Sequence, residues 1–228
     1  MKSSQPPPRS PPATTTAGTT PGCPAKRLEV EARASHPVSA RDGLLRASTY
    51  YRAVEFFLQG DPHDPRIDHA YRRGVACFRD AIAHLPGITR VEIPYEDAVL
   101  HGYFCRAAGE GPKPTLVMHN GFDGGVEELH FFGAVGGQER GYHVLTFDGP
   151  GQPAAIRRNG LTLRPDGENV VGPVLDFLTQ HPGVDHARIA LLGVSLAMGV
   201  TKAACCQKDR RTDPAGLIVG AAVQRRGR

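Results

Sequence analysis

Apolar residues recur at three- and four-residue steps from Leu44 through Ala47, Tyr51, Val54 and Leu58, the period of one face of an α-helix. Ser39 and Asp42 stand before them at capping-box spacing and Gly60 comes after, so the first packed element is expected to begin near Ser39. A second helix is signalled by Asp64 as N-cap and Pro65 at the first helical position. Ile67, Tyr71, Val75, Phe78, Ile82 and Leu85 then fall on one stripe, and Pro86-Gly87 stop it. Two amphipathic helices joined by a short loop form an αα-hairpin, whose apolar stripe must be buried against the domain C-terminal to it.

Beyond residue 88 the period shortens. Arg90–Ile93 and Val99–Cys105 read as paired strands, and Thr115–His119 is a continuous apolar run between Pro114 and Gly121. Such a run suits a strand covered on both faces. Val126–Arg140 is expected to be a helix weakened by glycine, and His143–Phe147 a second buried strand ending at Asp148-Gly149-Pro150-Gly151. Val174, Leu175 and Leu178 mark a further helix closed by Pro182-Gly183, and Arg188–Gly193 a third buried strand leading to Ser195. Strands alternating with helices at this spacing imply βαβ units and a doubly wound, mostly parallel α/β sheet.

Composition refines the boundaries. Residues 1–27 are rich in Pro, Thr, Ser and Gly, too poor in large apolar groups to offset the entropy of ordering, and are expected to be a disordered tail. The helical hairpin occupies 38–87 and the sheet-bearing core 88–196, leaving 197–228 as a basic tail. The net charge of +4 is concentrated at the two ends: Lys2, Arg9, Lys26 and Arg27 in the first tail, and seven Lys or Arg against Asp209 and Asp213 in the last. The middle is net acidic, so no nucleic-acid partner is expected. No apolar run reaches eighteen residues and the N-terminus lacks an apolar h-region, hence no membrane partner and a cytoplasmic address. The five cysteines form no C-x-x-C pair and no zinc-ligand spacing, so structural thiols and no metal are expected.

The candidate chemistry lies where the third buried strand ends. Gly193-Val194-Ser195-Leu196-Ala197 is a strand running into a G-x-S-x turn, the setting in which a serine hydroxyl is exposed as a nucleophile. Ala197 stands where a second glycine is usual. Acyl transfer also needs backbone N–H donors aimed at the developing oxyanion, one after the nucleophile and one from an upstream loop. His119-Asn120-Gly121-Phe122-Asp123-Gly124-Gly125 is that loop, which makes Phe122 and Leu196 the candidate donors. His119 and Asp148, both at strand ends, are candidate site-lining residues, although a structural histidine and a turn-forming aspartate would look the same.

His101-Gly102-Tyr103, the 119–125 loop, Glu127-Glu128-Leu129 and above all Phe147-Asp148-Gly149-Pro150-Gly151-Gln152 resemble the FrsA-like α/β hydrolases, a family that includes dihydroxypseudooxynicotine hydrolase and fungal polyketide-shortening hydrolases. The resemblance covers about residues 30–196. It implies a partial α/β-hydrolase fold with the helical hairpin as a lid, acting without a cofactor on a small-molecule substrate. The bonds implied are C–C bonds of 1,3-dicarbonyl compounds or esters, with Ser195 as nucleophile and Phe122 and Leu196 as oxyanion donors. Two departures stand out. Pro153 replaces the family's glycine after Gln152, and after Leu196 the pattern is lost: the last histidine, His186, precedes the serine, whereas this fold supplies acid and then histidine after it. A truncated, weakly active or inactive chain is therefore expected, with an uncovered sheet edge that favours association into a homo-oligomer. The alternative is a non-catalytic hydrolase-like fragment or binding protein. A dinucleotide-binding rival rests on Gly149-Pro150-Gly151-Gln152-Pro153-Ala154, a G-x-G-x-x-A match whose prolines leave little helix to hold a pyrophosphate.

Overall fold

A computed structural model describes residues 23–195, Ala197 and residues 218–222. Most of the tail expected at 1–27 lies outside the described residues, as do Leu196 and most of 197–228. The chain divides into two compact units, one ending at Cys77 and the other beginning at Phe78.

The first unit holds α1 (Pro24–Arg33), α2 (Pro37–Leu58) and all but the end of α3 (Pro65–Ile82). Helix α1 is absent from the hydrophobic pattern, which places the first packed element near Ser39. Its buried positions are Ala25, Glu29 and Ala32, too small and too polar to make an apolar stripe. Glu29 holds it instead: the carboxylate accepts hydrogen bonds from the Tyr51 hydroxyl of α2 at 2.9 Å, from Arg33 Nε at 2.9 Å and from Arg73 of α3. Burial alone would raise the Glu29 pKa, but the bonds from Arg73, Arg33 and Tyr51 outweigh it and hold the carboxyl below its ordinary range. A Cβ at Gly43 would fall 2.6 Å from the Ala32 Cβ, so α1 and α2 cross there in backbone contact. Pro37, not a Ser39 cap, starts α2. At α3 the Asp64 carboxylate accepts from the Arg66 N–H at 2.9 Å.

The second unit opens with a hairpin of β1 (Ile88–Tyr95) and β2 (Ala98–Cys105), joined by Glu96-Asp97 with Glu96 at φ 49°. Next come β3 (Lys113–His119), a π-helical turn (His130–Ala134) running into α4 (Val135–Glu139), and β4 (His143–Phe147). The chain continues through α5 (Pro153–Asn159), α6 (Glu168–Thr179), β5 (Val184–Val194) and β6 (Ile218–Ala222). The sheet order is β1-β2-β4-β3-β5-β6, with β4, β3, β5 and β6 parallel and β2 antiparallel to both its neighbours. Strand β6 lies within the stretch expected to diverge, and pairs with β5 from Ala190–Ile218 to Val194–Ala222.

Both sheet faces are covered, which is why the central strands read as unbroken apolar runs. On one face Leu100, Phe104, Val117, Leu145, Phe147, Ile189 and Leu191 pack with Val170, Val171, Val174 and Leu178 of α6. On the other, Cys105, Met118 and Val144 pack with Leu129 and Ala134. The helix expected over Val126–Arg140 runs over 128–139, with a π turn at His130–Ala134. Its glycines serve packing: a Cβ at Gly133 would lie 2.8 Å from Met118 Cε, and one at Gly137 2.7 Å from Val144 Cγ2.

Candidate active site

The pairing of β3 decides what meets at the carboxyl end of the sheet. His119 stands opposite Phe147 of β4 on one side and Gly193 of β5 on the other. The residues that come next, Asn120-Gly121, Asp148-Gly149 and Val194-Ser195, therefore emerge side by side. In an open α/β sheet this rim, where connections leave toward opposite faces, is where ligands bind.

Ser195 is the first residue after β5, exposed, with φ at 53°. A left-handed backbone costs a β-carbon-bearing residue roughly 1 kcal/mol or more, and such strain persists where surrounding structure enforces it. Strand β5 enforces it from before. From the side the constraint is Gly121: a Cβ there would sit 3.2 Å from the Ser195 Cβ and 3.4 Å from the Val194 carbonyl oxygen. The glycine thus lets the loop after β3 approach the serine. Leu196 lies outside the described residues.

Loop 120–125 is built around the Asn120 side chain. Its Oδ1 accepts from the Gly121 N–H at 2.8 Å and its Nδ2 donates to the Gly125 carbonyl at 3.0 Å. A Cβ at Gly124 would fall 2.3 Å from that carboxamide, so only glycine fits. Glu128 accepts from the Gly125 N–H at 2.8 Å. Nearby, the Tyr103 hydroxyl donates to Glu127 at 2.9 Å, and burial raises the pKa of both groups. The Phe122 side chain is exposed.

The Phe147–Gln152 stretch has a steric and hydrogen-bonding explanation. Gly149 is required because a Cβ would meet the His119 ring at 2.5 Å. Gly151, at φ 87°, would meet Leu163 at 2.9 Å. The buried Gln152 side chain accepts from the Gly149 N–H at 2.7 Å and donates to the carbonyls of Asn120 at 2.7 Å and Gly121 at 2.9 Å. Sequence reasoning assigns Gln152 and Asn120 no role; the F-D-G-P-G-Q stretch itself is the available signal.

Asp148 is fully buried, and its Oδ2 accepts from the Ala154 N–H at 2.9 Å, capping the first turn of α5. A carboxylate thus occupies the helix end where the dinucleotide rival needs a pyrophosphate, and α5 has only seven residues. His119 is buried and lies flat on Phe147, with ring centres 4.7 Å apart. Neither ring nitrogen has a hydrogen-bond partner among the described residues. Burial lowers its pKa to about 4, against a weak upward pull from the Gln152 carboxamide, so the ring is neutral at physiological pH. Among the described residues no three His, Cys, Asp or Glu side chains gather as a metal site, and no helix is long and apolar enough to cross a membrane. Cys23, Cys77 and Cys105 are buried, Cys23 and Cys105 as free thiols.

A family model described as esterase FrsA-like matches residues 28–220. Hydrolase acrC of Aspergillus aculeatus is 45% identical over 179 residues, covering 70% of this chain and 42% of acrC. The 20-hydroxy-prefusarin hydrolase FUS2 of Gibberella moniliformis is 41% identical over 162 residues, covering 67% of this chain and 39% of its own. The crystal structure of 2,6-dihydroxy-pseudo-oxynicotine hydrolase superposes with a TM-score of 0.68 at 26% identity, over 81% of this chain and 52% of that one. AbyA5, at 20% identity, shares the fold with a TM-score of 0.63 over 86% of this chain and 54% of its own. The chain spans about two fifths of the length of the two fungal relatives.

Proposed function

The chain belongs to the FrsA-like esterase family of α/β hydrolases, and on that footing we propose that Ser195 is the nucleophile of a hydrolase acting on esters or on C–C bonds of 1,3-dicarbonyl compounds. The observation that carries the proposal is the exposed, left-handed Ser195 at the end of β5, pressed against Gly121 of the loop after β3. That arrangement presents a hydroxyl at the sheet rim beside backbone amides, the two requirements of acyl transfer.

In the proposed reaction Ser195 Oγ bonds to the substrate carbonyl carbon, and its proton passes to a base. The carbonyl oxygen becomes an oxyanion held by the N–H groups of Phe122 and Leu196. Collapse breaks the C–O or C–C bond, the leaving alkoxide or enolate takes up the proton, and water then releases the acyl group from Ser195. A serine hydroxyl needs its base at neutral pH. His119, stacked on Phe147 with a depressed pKa, is poorly suited to that part. The activity proposed is that of the whole protein, and the matched span makes up about two fifths of the fungal relatives.

The test is a fluorophosphonate probe on the full chain. Labelling forms the Oγ–P bond and breaks P–F; fluoride leaves with the electron pair and the hydroxyl proton goes to base. One label per chain at Ser195, lost in Ser195→Ala, is the expected result. An unlabelled folded protein would overturn the proposal in favour of a non-catalytic hydrolase-like protein.

A further inference from the structure

We infer that Gln152 is the positioning residue of the oxyanion loop, fixing the direction in which the Phe122 N–H points. The inference rests on the reading of Ser195 as nucleophile. The Gly121 carbonyl and the Phe122 N–H belong to one peptide unit, which is planar and trans, so the two bonds point in opposite directions. Gln152 Nε2 donates to that carbonyl at 2.9 Å, and the Phe122 N–H is thereby turned away from Gln152. The preceding peptide unit is fixed in the same way: Nε2 holds the Asn120 carbonyl at 2.7 Å, and the Gly121 N–H is tied to Asn120 Oδ1 at 2.8 Å.

The carboxamide cannot be turned around. Its oxygen faces the Gly149 N–H at 2.7 Å and its nitrogen faces two carbonyls, so both amide protons and the amide oxygen are used. The anchor is rigid as well as oriented, since Gln152 is 2% exposed. A hydrogen bond received by a carbonyl also polarises its own peptide unit, which strengthens the opposite N–H as a donor. Gln152 therefore acts on the developing oxyanion through the backbone, without touching it, and this accounts for glutamine in a stretch where Gly149 answers to space and Gly151 to space and a left-handed backbone.

The experiment compares fluorophosphonate labelling of the full wild-type chain with Gln152→Glu and Gln152→Met. Three quantities are read: the first-order labelling rate at saturating probe, the probe concentration at half-maximal rate, and the final stoichiometry. The expected result is a rate lower by about 10- to 100-fold with little change in half-saturation or stoichiometry, because the lost interaction belongs to the transition state. The Gln152→Glu deficit should narrow as pH falls, because a protonated carboxyl regains one donor; the Gln152→Met deficit should not. Unchanged rates in both variants overturn the inference and leave the nucleophile reading standing. A loss confined to stoichiometry assigns Gln152 a merely structural role and also overturns it. An unlabelled wild type overturns the nucleophile reading, and the inference with it.

Discussion

Gly121 and Ser195 face each other across the ends of adjacent parallel strands, so closely that a Cβ on the glycine would lie 3.2 Å from that of the serine. The contact is tighter than ordinary packing and can relax only if the loop or the serine moves. Gly121→Val is therefore expected to destabilise the second unit by about 1–3 kcal/mol and to slow Ser195 labelling by about 10-fold or more. Denaturant titration and probe kinetics on the same preparation check both. Full-rate labelling of the valine variant would mean that the loop is not the serine's partner.

Burial lowers the pKa of His101, His119, His130 and His143. His143 shows the structural reason: Nδ1 accepts from the Ala107 N–H at 3.0 Å while Nε2 faces the Gly183 carbonyl at 3.1 Å, an arrangement only the neutral ring satisfies. With folded values below the unfolded one, the unfolded state takes up protons first. Stability is thus undiminished above the unfolded histidine pKa and falls as pH drops through it toward the folded values, about 4 for His119. His119 alone contributes on the order of 3 kcal/mol to that fall. Unfolding free energy measured between pH 8 and 4 should decline through this window, with the His119 ring resonances still neutral at pH 5.5.

Glu29 predicts a different acid limb in the first unit. Its folded pKa is lowered, so its stabilisation is present above the unfolded carboxyl pKa and is lost as pH falls through the folded value. Its partners Arg33 and Arg73 are 42% and 43% exposed, so solvent screens part of the attraction. Glu29→Gln is expected to cost roughly 2 kcal/mol at pH 7 and to flatten the stability profile below pH 4.5. Equal acid sensitivity in variant and wild type would show that the carboxylate is not what secures α1.

Asp148 caps α5 from a fully buried position, so Asp148→Ala should cost about 1–2 kcal/mol. The same carboxylate opposes a phosphate at that helix end. Millimolar nicotinamide dinucleotide should therefore leave the melting temperature of the wild-type chain unchanged; an upward shift would revive the dinucleotide reading.

How legible each element is in the sequence depends on how it is buried. His143–Phe147 is covered on both faces, and its bounds are visible as an apolar run; β3 gains Lys113 and Pro114, while β5 also takes in 184–187, whose partly polar, exposed residues break the run, and Val194. Helix α1 is invisible because its inward face is Ala25, Glu29 and Ala32, and an ionic anchor has no hydrophobic period. The π turn at His130 escapes notice because Gly133 and Gly137 look like weak helix formers until Met118 and Val144 are seen pressing on them. At the site, the serine and the loop are legible as motifs. Gln152 is not, since a side chain spending its hydrogen bonds on main chain about thirty residues away leaves only its identity in the sequence.

The links from Gln152 join segments 31 and 32 residues apart, and all of them precede Ser195 in the chain. The Asn120 and Gly121 carbonyls are thus held by residues N-terminal to β5 alone, whereas the approach of loop 120–125 to Ser195 needs β5 paired beside β3.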